Sequence, residues 1–157
     1  MRLGVGGGDR AGLELGARLA PLRERGVFIL GSGNVVHNLR RIARNRPDSA
    51  YDWGERFDDE VRRVMTTDPS ALPLVTGHPD YAEAVPTHEH FLPLLYIAGL
   101  AAAAGEPAVP FAQGGTMGSI TMTSYLVGGT PPPATEGDGD AAALPDPRRV
   151  PPEQTNI

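Results

Sequence analysis

Apolar residues recur along this chain at two kinds of spacing, and each predicts a different element. Leu13, Leu15 and Leu19, with Glu14 and Arg18 among them, predict an amphipathic helix. Pro21 must kink it or open a short second piece, Pro21 to Arg25, which stops at Gly26. Phe57, Val61 and Val64 or Met65 share one face of a helix from Trp53 to Thr66. Asp58, Asp59, Arg62 and Arg63 take the other face, and Asp68-Pro69 ends it. A third helix starts between Thr87 and Leu92 with Pro93 in its first turn. It runs through Leu94, Leu95, Ile97, Ala98 and Leu100 to Gly105. Continuous apolar runs predict strands instead. Val27-Phe28-Ile29-Leu30, bounded by glycines, reads as a buried strand of a parallel sheet. It leads into Gly31-Ser32-Gly33-Asn34 and then a helix from Val35 to Ile42, capped by Ser32 or Asn34. Such a strand, turn and helix place functional groups at the carboxyl end of a sheet. Ala108 to Phe111 and Ile120 to Val127 read as strands around the turn Gly114-Gly115, and Leu72 to Pro86 reads as mostly loop. The expected class is α/β, with a central, mostly parallel or mixed sheet flanked by helices.

Periodicity fades at both ends. Residues 1–10 are glycine-rich, and residues 130–157 are acidic and punctuated by proline. Neither stretch holds enough apolar surface to offset its ordering entropy, so both are expected to be disordered. That leaves residues 11–129 as one folded unit, with no internal repeat. Glycine and proline make up 36 of the 157 residues and are denser in these ends than between them.

Charge and composition then remove whole chemistries. The basic residues are all arginine, with no lysine and no cysteine, and the net charge is −5. Without lysine there is no Schiff base and no phosphate-loop lysine; without cysteine there is no thiol nucleophile, thiolate metal site or disulfide. No basic run marks a nucleic-acid partner. The longest apolar run, Phe91 to Ala104, is too short to span a bilayer and contains Pro93 and Gly99. The amino terminus has no apolar signal-peptide core, so a cytoplasmic location is expected.

What remains is histidine chemistry: His37, His78, His88 and His90. In the first turns of a helix after a glycine turn, His37 would be kept neutral and suited to a base or a ligand; a capping or packing role fits the same spacing. His88 and His90 form an H-x-H pair that could chelate one metal from a strand but would diverge on a helix, and two merely neighbouring loop histidines fit equally. His78 lies in a proline-rich loop and is expected at the surface. The glycines of Gly31-Ser32-Gly33 lack the third glycine of a dinucleotide fingerprint, and Ser32 reads as a turn or cap residue.

Three blocks carry a resemblance. They are Ala20-Pro21-Leu22-Arg23-Glu24-Arg25-Gly26-Val27-Phe28-Ile29-Leu30-Gly31-Ser32-Gly33-Asn34-Val35-Val36-His37-Asn38-Leu39, then Ala84-Val85-Pro86-Thr87-His88-Glu89-His90-Phe91-Leu92-Pro93-Leu94-Leu95-Tyr96, and the weaker Gly118-Ser119-Ile120-Thr121-Met122. In this order they resemble the class III extradiol ring-cleavage dioxygenases, in particular the DOPA-dioxygenase-like branch, over roughly Leu13 to Gly128. The resemblance implies a non-haem Fe(II) or Zn(II) ion, a small aromatic diol and O2 as substrates, and opening of the ring beside the diol. By motif, His37 matches the histidine of the G-S-G-N-x-x-H-N block, at the metal and able to act as acid or base. His90 matches the metal-centre histidine of the T-x-E-H-F-L-P-L block. His88 stands where relatives usually have proline, so no role passes to it.

Family members are about twice this long. Their first half supplies two more metal-site histidines, in S-H-G and A-H-W type motifs that do not occur here. The chain is therefore expected to be the carboxyl-terminal half of the family fold. Two readings follow: a ring-cleaving dioxygenase, active when the missing half comes from another chain or an upstream coding segment, with a complementing amino-terminal half or a homo-oligomer as expected partner; or a non-catalytic remnant or binding module without a competent metal site.

Overall fold

The computed structural model describes residues 7–131 of the chain. Five helices dominate it: α1 (Gly7–Leu19), α2 (Pro21–Glu24), α3 (Asp52–Thr67), α4 (Tyr81–Ala84) and α5 (Leu92–Ala104). Short 3₁₀ segments cover Leu39–Arg41 and Pro69–Gly77. Four brief strands follow the last helix: β1 (Val109–Phe111), β2 (Gly115–Thr116), β3 (Ile120–Thr121) and β4 (Ser124–Leu126).

The core lies among α1, α3, α5 and the Pro69–Gly77 segment. Phe57, Val61 and Met65 of α3, Leu72, Phe91, and Leu95 and Ala98 of α5 are at most 1% exposed. Each large apolar side chain buried this way contributes roughly 1.5–3 kcal/mol. The predicted stripe on α3 is thus the one that is buried, and Asp68 with Pro69 closes that helix as expected. On α5, Pro93 occupies the first turn and Gly105 ends the helix in the left-handed region at φ 66°.

Helices α1 and α5 approach closely because both present glycine at the crossing. A Cβ on Gly16 would lie 2.1 Å from the Tyr96 carbonyl oxygen, and one on Gly99 would lie 2.0 Å from that of Leu13. Helix α1 begins at Gly7, so residues 7–10, expected to be part of an unstructured end, form its first turn. The remainder of both expected tails, residues 1–6 and 132–157, lies outside the described residues.

The sheet departs most from expectation. Among the described residues there is no central parallel sheet, only two antiparallel pairs. Strand β1 pairs with β4 in the register Val109↔Leu126, Pro110↔Tyr125, Phe111↔Ser124; β2 pairs with β3. The predicted strand Ile120–Val127 is split at Met122 and Thr123, so that its two ends join different partners. Val27–Leu30, the predicted buried strand, has no strand beside it. Phe28 is 79% and Leu30 78% exposed. A strand is made by its neighbour's hydrogen bonds, and from Phe28 to Gly33 the backbone makes none to another described residue.

The helix predicted from Val35 to Ile42 is also absent, apart from the 3₁₀ turn Leu39–Arg41. Val35 and Val36 are β-branched and buried, and the chain bends at both before His37 forms an isolated bridge. Thr121 N–H donates to the Val36 carbonyl, His37 N–H to the Ala84 carbonyl, and Asn38 N–H to the Ser119 carbonyl. These cross-chain bonds satisfy the backbone better than a solvent-exposed helix would. The segment Leu72 to Pro86, predicted as mostly loop, contains the end of the 3₁₀ stretch and α4, joined to α3 by a two-pronged Arg56–Asp80 ion pair at 2.9 and 3.0 Å.

Candidate functional site

His37 and His90 meet at the edge of this core. Their rings are stacked, with centroids 3.6 Å apart and planes inclined by 14°. They come from segments more than fifty residues apart, and glycine makes the approach possible. The Gly33 backbone packs so tightly on the His90 carbonyl that a Cβ there would lie 2.1 Å from its oxygen. Asn34 N–H donates to the same carbonyl at 2.9 Å, and the Asn34 side chain donates to the Thr121 carbonyl at 3.0 Å. His37 itself bridges to Ile120 in antiparallel fashion. The Gly31-Ser32-Gly33-Asn34 sequence is therefore a close-packing device between two histidine-bearing segments, not a helix cap.

Next to it, Asn38 braces the segment in two directions. Its Nδ2 donates to the Glu83 carbonyl at 2.7 Å, and its Oδ1 accepts from Arg40 N–H at 3.2 Å. Ser119, fully buried, donates its hydroxyl to the Asn38 carbonyl at 2.7 Å. His37 is thus held on a backbone whose neighbours are all engaged.

The electrostatics favour a neutral His37. Burial lowers its pKa below the ordinary histidine value, and the adjoining His90 lowers it further; the nearby Glu89 carboxylate works weakly the other way. No helix begins at His37, so burial and the neighbouring ring, not a helix terminus, keep it neutral. Glu89 stays ionised because the Thr87 hydroxyl donates to it at 2.6 Å.

The other histidines go elsewhere. His78, expected at the surface, has only 19% of its side chain exposed; its ring meets the edge of Phe57, and its Nδ1 accepts from Asp80 N–H at 3.2 Å. His88 turns away from His90 toward Tyr81 and Asp9, so the H-x-H pair does not converge on one point. Asp9 and Tyr81 escape a reading by sequence motif; the one available cue is an acidic residue in the first turn of a helix.

Two imidazoles side by side are the donor type that Fe(II) and Zn(II) take from proteins. The pair fits such an ion as part of a ligand set. Among the described residues, no group of three or more histidine, aspartate or glutamate side chains converges to complete it. Beside His90 opens a cleft of about 160 Å³ walled by Leu30, Val35, Pro93, Ile97 and Phe111, with Asn34 and Ser124 at its polar edge.

Fold and site together define a mixed α/β chain that brings two distant histidines into one contact. No protein-family model matches it. A 4,5-DOPA dioxygenase extradiol of Escherichia coli K12 is 39% identical over 119 residues, which is 73% of this chain and 44% of that protein. The Beta vulgaris 4,5-DOPA dioxygenase extradiol is 34% identical over 95 residues, 59% of this chain and 34% of its own length. A crystal structure of an uncharacterized Escherichia coli K12 protein superimposes with a TM-score of 0.69 and 35% identity, over 76% of this chain and 50% of that one. The chain belongs, as a partial member, to the class III extradiol ring-cleavage dioxygenases, in the branch of the 4,5-DOPA dioxygenases. It spans less than half the length of the curated relatives it matches. No helix among the described residues is long and apolar enough to cross a membrane.

Proposed function

We propose that this chain supplies His37 and His90 to the metal centre of an extradiol dioxygenase that opens a small aromatic diol with O2. The remaining ligands and the neighbouring strands come from a complementing polypeptide, equivalent to the portion of the relatives that this chain does not match. The observation that carries the reading is the His37–His90 contact at 3.6 Å, made by the two histidines that the family motifs single out.

A bound Fe(II), or Zn(II) in a resting form, would supply open coordination positions at which both reactants meet. The chain's own groups do the rest. Burial keeps His37 neutral, so its one unprotonated ring nitrogen either holds the metal or, turned to the diol, takes a proton from a hydroxyl near neutral pH and returns it later. The ionised Glu89 carboxylate balances positive charge at the imidazole pair. The cleft beside His90 suits an aromatic ring in size, since an apolar cavity of roughly 150 Å³ holds benzene. The Val27–Leu30 segment borders a second groove of about 470 Å³, facing Tyr125 to Gly128, in which an added strand would find open backbone groups on Phe28–Leu30.

The lack of a third converging ligand among the described residues favours a second reading, a binding module that keeps the fold without turnover. The test is titration with Fe(II) and Zn(II), and assay of catechol ring opening, with the chain alone and mixed with the complementary half of a relative. Ring opening only in the mixture, abolished by His37→Ala or His90→Ala, supports the enzyme. No turnover in either condition leaves the module.

A further inference from the structure

Outside the imidazole pair, a cluster of titratable groups joins α1, α4 and the turn before α5. His88 Nε2 lies 2.7 Å from the Tyr81 hydroxyl, and His88 Nδ1 lies 3.4 Å from Asp9 Oδ1. Asp9, in the first turn of α1, is 3% exposed. A carboxylate so deeply buried is costly unless it is paired, and among the described residues its ion-pair partner is His88. With its proton on Nδ1, the His88 ring turns that N–H toward the Asp9 carboxylate, 3.4 Å away, and leaves Nε2 to accept from the Tyr81 hydroxyl. Burial and the Asp9 charge push the Tyr81 phenol up to about 12, so it remains a hydroxyl donor.

The backbone of His88 has its own task. Helix α5 has no side-chain cap at its amino end. The His88 carbonyl accepts instead from Phe91 N–H at 3.0 Å and Leu92 N–H at 2.9 Å. His90 lies between that carbonyl and the start of α5. The side chain of His88 therefore ties the turn carrying His90 to α1 on one side and α4 on the other.

We infer that His88 is a positioning residue: the Asp9–His88–Tyr81 chain clamps the His90 turn between α1 and α4 and so fixes the His37–His90 contact. The metal-binding consequence rests on the function proposed above; the positional one does not.

The experiment uses the full chain, with Tyr81→Phe, His88→Ala and His88→Gln variants. In the metal-free protein, the ring-proton NMR signals of His37 and His90 report the stack directly. His88→Ala should move both toward unstacked values while signals of the α3 core stay in place. His88→Gln should restore them, because its amide can donate to Asp9 and accept from Tyr81. Ring signals unchanged in His88→Ala overturn the clamp. Should that variant not fold, Tyr81→Phe, which keeps the ring packed on Phe57 and Phe91, decides: selective displacement supports the clamp, and no displacement overturns it. Zn(II) titration adds the second arm. If the parent chain binds through His37 and His90, His88→Ala should lower affinity by about tenfold; an affinity held within about twofold counts against the clamp. A parent chain that binds no metal sinks the metal reading while the ring signals still judge the clamp.

Discussion

Leu95 on α5 is fully buried, whereas Leu30, in an equally apolar stretch, is 78% exposed. The two leucines differ in where their elements find partners. A helix satisfies its backbone within itself, so α5 needs only an apolar surface, which α1 and the Pro69–Gly77 segment provide. Phe28–Leu30 can satisfy its backbone only by lying beside another strand, and none is present among the described residues. The helical layer is therefore complete on its own, and the extended edge is the place where the chain looks outward. The His37–His90 contact belongs to the junction between these two regions.

The largest expected effect comes from emptying the complete side. Phe57 is fully buried and touches His78, Tyr81 and Phe91. Phe57→Ala should lower stability by about 3–5 kcal/mol. A urea melt followed by circular dichroism measures it, and a loss below about 1 kcal/mol would mean that the helical layer is not the source of stability.

A smaller effect separates two glycines of one helix. Gly16→Ala drives a Cβ into the Tyr96 carbonyl and should cost about 1–3 kcal/mol through forced separation of α1 and α5. Gly8→Ala, with nothing within 4 Å of the added carbon, should instead stabilise by about 0.4–1 kcal/mol by restricting the unfolded chain. If both substitutions stabilise, the close α1–α5 crossing is wrong.

Acid should act on the two regions with opposite sign. The pKa of His37 is lowered by folding, so its contribution is present above the ordinary histidine value and is lost as pH falls below it. Asp58, buried on α3 with one unpartnered oxygen and the other accepting from the Thr123 hydroxyl at 2.7 Å, has its pKa raised by burial. Its contribution is full at low pH and is lost as pH rises through that raised value. Hence Asp58→Asn should raise the urea midpoint at pH 7, by about 1 kcal/mol in stability, with no gain at pH 3. His37→Gln should flatten the loss between pH 7.5 and pH 5. A midpoint that rises on acidification in the parent and not in His37→Gln would reverse the assignment.

The same division explains what could be read from the sequence. The stripe on α3, the proline start and glycine stop of α5, and the break at Gly26 are local decisions, made by residues within a few positions of one another. They were legible. The neighbour of Val27–Leu30 is not local, so a run that reads as a buried strand emerges as an exposed edge. Val35 to Ile42 is not the expected helix for a related reason: its path is set by carbonyls and amides at Ala84, Ser119 and Thr121, which no window around His37 contains. Spacing alone left His37 and His90 as ordinary loop or capping residues; motif resemblance selected them, and the structure brought their rings together. The partners of His88 were hidden because Asp9 lies in a glycine-rich stretch that reads as unstructured.

The smallest effect sharpens the comparison most. Phe28 is 79% exposed. In the chain alone, Phe28→Ser should change stability by no more than about 0.5 kcal/mol, because the ring has little burial to lose. It should also reduce binding of an apolar dye, since fewer aromatic and aliphatic atoms would line the edge. Addition of the complementary half of a relative reverses the expectation. Once a strand pairs with Val27–Leu30, Phe28 becomes a core residue, and its loss should weaken association by about 1.5–3 kcal/mol, the worth of one buried aromatic side chain. The measurement is the affinity of the two pieces by titration calorimetry, with Phe28→Ser against the parent. An association equally strong in both would place the joining surface elsewhere, and would return Val27–Leu30 to the status of an apolar loop.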